Sequence, residues 1–281
     1  MVFAGAAAIL ADIPGALLPR GLPFDVYLAG LGVSAGLLTA AWLVSLWRSD
    51  ASVVDSFWGA AIAGLGWFYA ASLDPLGLRA WIVLLLVTAW GVRLSAYITW
   101  RNWGEPEDFR YRQMRERHGR RFPAVSLVTV FLLQAVLAWI VSAPLFQAAA
   151  SAGGPGVIGW IGAAVALVGL AWETIADWQL RRFLARRREE EAVMDRGLWR
   201  YSRHPNYFGE FVFWWGVFLL VAASRGFLWS IVGPALMSVL LLRVSGVPML
   251  EEKLSRRPAY RRYAERTNAF FPWPPRGGSE G

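Results

Sequence analysis

The sequence predicts an all-α integral membrane protein: a seven-transmembrane-helix bundle with its N-terminus outside and its C-terminus cytoplasmic. Two observations predict it. Hydrophobic residues make up 56% of the 281, and several apolar runs reach the roughly 20 residues that cross about 30 Å of hydrocarbon. The 28 Lys and Arg are also sorted by side: 23 flank one set of span ends, while only Arg20, Arg79 and Arg225 flank the other. Basic residues accumulate on the cytoplasmic side of a membrane, and this fixes the expected orientation.

Each element follows in order. Residues 1–22 read as a surface segment, because Pro14 and Pro19 break a weakly apolar stretch with no positively charged start. Span 1 (23–47) ends at Arg48. Span 2 (51–72) runs outward and carries Asp55 near its cytoplasmic end. Span 3 (78–100) returns, so Arg93 and Tyr97 lie near the cytoplasm as well. A basic loop, 101–122, leads into span 4 (124–146). The outer turn before span 5 (156–181) contains Gly154, Gly156 and Gly159, which fit a dinucleotide-binding glycine pattern. That pattern needs a preceding strand and none is expected here, so a turn and close helix packing are the expected roles. Span 5 bears Glu173 and Asp177, span 6 (206–223) bears Asn206 and Glu210, and span 7 (227–246) bears Arg243. The membrane domain is thus 23–246, with the motif-bearing region at 170–275. The cytoplasmic tail, 247–281, is expected to fold back as a short helix ending near Pro272, either as a lid or as an interfacial anchor.

Composition excludes several functions. The chain has no Cys, so disulfides and thiolate chemistry are absent, and His118 and His204 alone make no metal site. The basic residues bracket spans and do not form a separate domain, which argues against nucleic-acid binding.

Orientation gathers the ionisable residues of the spans into one leaflet. Glu173 and Asp177 are one helical turn apart, as are Asn206 and Glu210, so each pair shares a face. Charges at this depth are costly, and they imply either interhelical ion pairs or a polar cavity that holds a ligand. Convergence of several spans at one depth favours the cavity. The flanking loops 101–122 and 181–206 are rich in Arg, Tyr, Trp and Phe. Guanidinium groups grip phosphates and aromatic rings stack on bases, so Tyr201, Arg203, His204, Asn206 and Tyr207 are candidate cofactor contacts.

The run GLWRYSRHPNYFGEFVFWWG (197–216), followed by a Glu251-Glu252 pair and a tail containing FFPWPP (270–275), resembles a bacterial membrane family of unassigned function. That family is allied with the steroid 5-alpha-reductase C-terminal domain. DSFWG (55–59), EDFRYRQMRERHG (107–119) and VFLLQ (130–134) are similar to its segments, so the resemblance covers about 51–275. It implies a multi-pass protein of the bacterial inner membrane with NADPH entering from the cytoplasm. It also implies hydride transfer to a carbon–carbon double bond conjugated to a carbonyl in a lipophilic substrate. Asn206 and Glu210 match positions that contact the nicotinamide or its ribose, and Asp177, Arg181 and Arg243 match further cofactor positions. The substrate end departs from the steroid pattern: Asp55, Arg93 and Tyr97 are the candidates there. Asp55 could polarise the carbonyl as a protonated acid, or pair with Arg93 and serve structure.

Two other readings remain. Arg203–Tyr207, Glu251-Glu252, Tyr260 and Tyr263 also resemble the isoprenylcysteine and phospholipid methyltransferases, whose cofactor is S-adenosylmethionine. The surrounding arginines favour the phosphate-bearing dinucleotide. A non-enzymatic lipid-binding protein would distribute polar residues through the full depth of the bundle, and the one-leaflet pattern argues against it.

Overall fold

The computed structural model describes residues 21–186 and 192–276, so the expected surface segment lies almost wholly outside the described residues. The helices are α1 (Phe24–Arg48), α2 (Val53–Ser72), α3 (Leu78–Asn102), α4 (Phe109–Val141), α5 (Ala143–Ala149), α6 (Gly156–Arg186), α7 (Pro205–Val221), α8 (Phe227–Leu254) and α9 (Pro258–Arg266). There is no strand among the described residues. Two of the long helices change pitch. α4 contains a 3-10 turn, Gly119–Arg121, and a π-helical stretch, Leu127–Leu132. α8 opens as a 3-10 turn and contains a π-helical stretch, Leu240–Val244, before a break at Gly246.

Among the described residues five helices, α1, α3, α4, α6 and α8, are long and apolar enough to cross a membrane. Only 28–33% of the most apolar window of each is buried within the protein. The remaining faces carry exposed Leu43, Leu85, Val128 and Val157, as a lipid-facing surface requires. α2 and α7 are not among these five, and α7, with 17 residues, is shorter than the roughly 20 of a full crossing.

The helix ends differ from expectation at the charged loops. The 101–122 loop is mostly helical, because the Asp108 carboxylate caps α4 by accepting from the Arg110 N–H at 3.0 Å. α6 runs on to Arg186, since Leu, Ala and Arg are all good helix formers. The glycine pattern at 154–159 leads into α6 with no strand before it among the described residues.

The chain divides into two compact units, 1–159 with 220–233 and 160–219 with 234–281. In the first, α2 and α3 touch backbone to backbone: a Cβ on Gly59 would sit 2.7 Å from the Gly91 carbonyl oxygen. Leu38, Val54, Phe122 and Phe131 belong to its buried core. Tyr27 stacks on Trp139 with ring centres 4.7 Å apart, and Tyr69, Phe146 and Trp229 surround Tyr27. The buried Gln147 amide ties this packing to the 224–229 turn, donating to Ser224 Oγ at 2.9 Å and accepting from Trp229 Nε1 at 2.6 Å. In the second unit, α6 and α7 pack through glycine, and the tail folds against the segment that precedes α7.

Candidate functional site

The α6–α7 contact is built from small residues. A Cβ on Gly209 would lie 2.5 Å from the Glu173 backbone nitrogen, and one on Gly169 would lie 2.7 Å from the Gly209 carbonyl oxygen. Gly216 abuts Ala166 and Gly162 in the same way. Backbones this close put the polar residues of both helices side by side. Glu173, Asp177 and Glu210 are all buried, and Asn206 donates from Nδ2 to Asp177 Oδ1 at 3.2 Å. Glu210 follows Gly209 directly and lies one turn from Asn206. The sequence singles out these polar residues but not the glycines that bring them together.

The Arg203-His204 segment is locked to the tail. The Arg203 guanidinium forks onto both carboxylate oxygens of Glu251 at 2.9 Å, and its Nη1 donates to the carbonyls of Ala264 and Thr267. His204 Nε2 lies 2.8 Å from Glu251 Oε1, and the Tyr260 hydroxyl donates to the same oxygen at 2.6 Å. Burial, reinforced by that bond to Glu251, raises the Tyr260 hydroxyl well above its ordinary value, so it stays a donor at neutral pH. Ser202 Oγ donates to the Phe270 carbonyl at 2.8 Å, and the Arg203 N–H donates to the Asn268 carbonyl at 2.9 Å. The Trp273 N–H closes the seam on the Tyr201 carbonyl at 3.0 Å. The last helix of the tail ends at Arg266, short of the expected Pro272, and the residues after it form a strap held by these bonds.

The remaining candidates are placed as follows. The Tyr207 ring stacks on His204, with centres 5.7 Å apart and planes within 8°. Tyr201 is exposed, Arg181 is partly buried near the end of α6, and Arg243 is exposed in the π-helical stretch of α8. Asp55, Arg93 and Tyr97 belong to the first unit. There Asp55 meets Arg110 Nη2 at 3.5 Å and the Tyr111 hydroxyl at 3.4 Å, two groups that spacing alone does not connect with it. Arg110 is in turn held by Asp108 at 2.8 Å. The Arg101 guanidinium lies over the Tyr97 ring at 5.9 Å.

A family sequence profile matches residues 41–267, a stretch that includes the α6–α7 carboxylates and Glu251. The chain belongs to the DUF1295 family. The family is described as proteins of unknown function. An uncharacterized protein of the fission yeast Schizosaccharomyces pombe is 27% identical over 278 residues, covering 88% of this chain and 79% of the yeast protein. No solved structure matches the chain.

Proposed function

We propose that this protein is an NADPH-dependent membrane reductase acting on a lipophilic substrate with a double bond conjugated to a carbonyl. The carrying observation is the buried acceptor set on α6 and α7: Glu173, Asp177 and Glu210, with Asn206 bonded to Asp177 at 3.2 Å. Carboxylates repel phosphate but accept from hydroxyl and amide N–H groups, so this set suits a nicotinamide carboxamide and its ribose. Arg181, Arg243 and Tyr201 are the groups suited to the phosphates. When bound, NADPH would supply the hydride. The chain's part is to orient the nicotinamide end, exclude water and stabilise charge on the substrate oxygen. Arg203 and His204 act through Glu251 as positioning residues, and Tyr207 through its stack on His204. The asymmetry of basic residues supports a cytoplasm-facing site.

The Glu251 cluster favours a second reading. It joins Arg203, His204 and Tyr260, residues that match the motif of S-adenosylmethionine-dependent methyltransferases. Melting of the purified protein in detergent separates the two. NADPH should raise the melting temperature, and Glu210→Gln should lose that response while melting normally without ligand. Stabilisation by S-adenosylmethionine and S-adenosylhomocysteine alone would sink the reductase reading.

A further inference from the structure

At the end of α6 the apolar helix gives way to a cleft of about 410 Å³. Three arginines line it, Arg182, Arg186 and Arg196, together with Trp178, Phe183 and Met194. Among the described residues no carboxylate lines it. Asp195, beside Arg196 in the chain, is turned to Arg266, with which it pairs at 2.6 Å. The Arg182 guanidinium lies over the Trp178 ring at 5.3 Å, which holds one cation against the apolar wall.

The opposite wall is fixed to α6. Gln179 Oε1 accepts from the Leu198 N–H at 2.9 Å, and the Trp199 indole donates to the Ala176 carbonyl at 3.0 Å. Gly197, at φ +60°, presses so closely on Gln179 that a Cβ there would lie 2.5 Å from its Oε1. These contacts present Arg196 to the cleft from a braced turn.

We propose that this cleft binds an anionic phospholipid, with its phosphate held by Arg182, Arg186 and Arg196 and its acyl chains laid against Trp178 and Phe183. Three arginines along one cleft select an anion. The apolar wall selects a lipid over free phosphate, because a small anion would leave Trp178 and Phe183 uncovered. The position also suits a lipid: an exposed Trp toward the end of a long apolar helix belongs at the membrane–water interface. Its lining includes none of the α6–α7 carboxylates, and the proposal stands whether or not a nicotinamide cofactor binds beside them.

The test is titration of the purified full chain with phosphatidylglycerol, phosphatidylcholine or soluble glycerol phosphate, read by melting temperature and by native mass spectrometry. Phosphatidylglycerol should stabilise the protein and remain bound, and the other two should not. Its affinity should fall as salt rises. Arg182→Gln with Arg196→Gln should weaken it about 30-fold, the loss expected for two basic residues at a membrane surface. Arg182→Lys with Arg196→Lys should keep most of it. Equal stabilisation by phosphatidylcholine overturns the proposal, as does a full response to glycerol phosphate. So does undiminished affinity in the Gln pair. If the Gln pair fails to fold, salt-independent binding to the unaltered chain overturns it instead.

Discussion

Glu251 receives four hydrogen bonds, from both prongs of Arg203, from His204 and from Tyr260. Removing an acceptor that several donors share leaves all of them unsatisfied. Glu251→Ala should therefore destabilise the protein by about 2–3 kcal/mol, read as a lower melting temperature in detergent. Limited proteolysis should then cut the strap, and an unchanged digestion pattern would contradict its role as a clamp. A second carboxylate acts as a pH-dependent tether. Glu107 is held by Arg115 and accepts from the Ala51 N–H at 2.8 Å. Burial alone would raise its pKa, but the bonds from Arg115 and Ala51 outweigh it and hold the carboxyl below its ordinary range. A depressed folded-state pKa gives stability that is fully present above the unfolded value and lost as pH falls through the folded one. Glu107→Gln should thus be less stable than the unaltered chain by about 1 kcal/mol at pH 7. The difference should shrink below about pH 4, and a constant gap across that range would refute it. Polar residues such as Asp177, Asn206 and Glu210 were legible in the sequence, because they interrupt apolar runs. The Asp55–Arg110 contact was not, because Arg110 is one of seven arginines in its loop and periodicity cannot rank them.

At the scale of elements, the helices were legible because apolar length and flanking charge are read directly from composition. Their charged ends were not, since a cap such as Asp108 outweighs the polarity that suggested a loop. Glycine contacts were hidden too: Gly209 and Gly32 look alike in sequence, yet of the two only Gly209 abuts a neighbouring helix. This contrast gives a test. Gly209→Ala should destabilise the protein by about 1–3 kcal/mol, the usual effect of overpacking. A Cβ on Gly32 meets nothing within 4 Å, so Gly32→Ala should melt like the unaltered chain or slightly higher. Equal effects in the two variants would show that the α6–α7 approach has no special weight.

For the whole molecule, the number of crossings turns on α2 and α7. Among the described residues five helices meet the length and apolarity of a span, and the expected seven requires these two as well. The chain has no Cys, so single cysteines report accessibility without background. Arg48→Cys and Asp74→Cys flank α2, and Tyr201→Cys and Arg225→Cys flank α7. If both helices cross, a membrane-impermeant maleimide should label Asp74→Cys and Arg225→Cys in intact cells. Arg48→Cys and Tyr201→Cys should then react only after permeabilisation. Labelling of both members of either pair from one side would remove that helix from the count. The asymmetry of basic residues carries the expected orientation in the sequence itself. The division into two units was not legible there, because it depends on contacts between residues far apart in the chain.

The strap also sets an order of events during synthesis. Ser202 and Arg203 leave the ribosome well before Asn268 and Phe270, the residues that complete their bonding. A growing chain must carry the segment open while α7 and α8 are made, and can close it only with the last stretch. A message cut short after α8 would yield a protein whose long helices are all present, with Glu251 among them, and whose strap never closes.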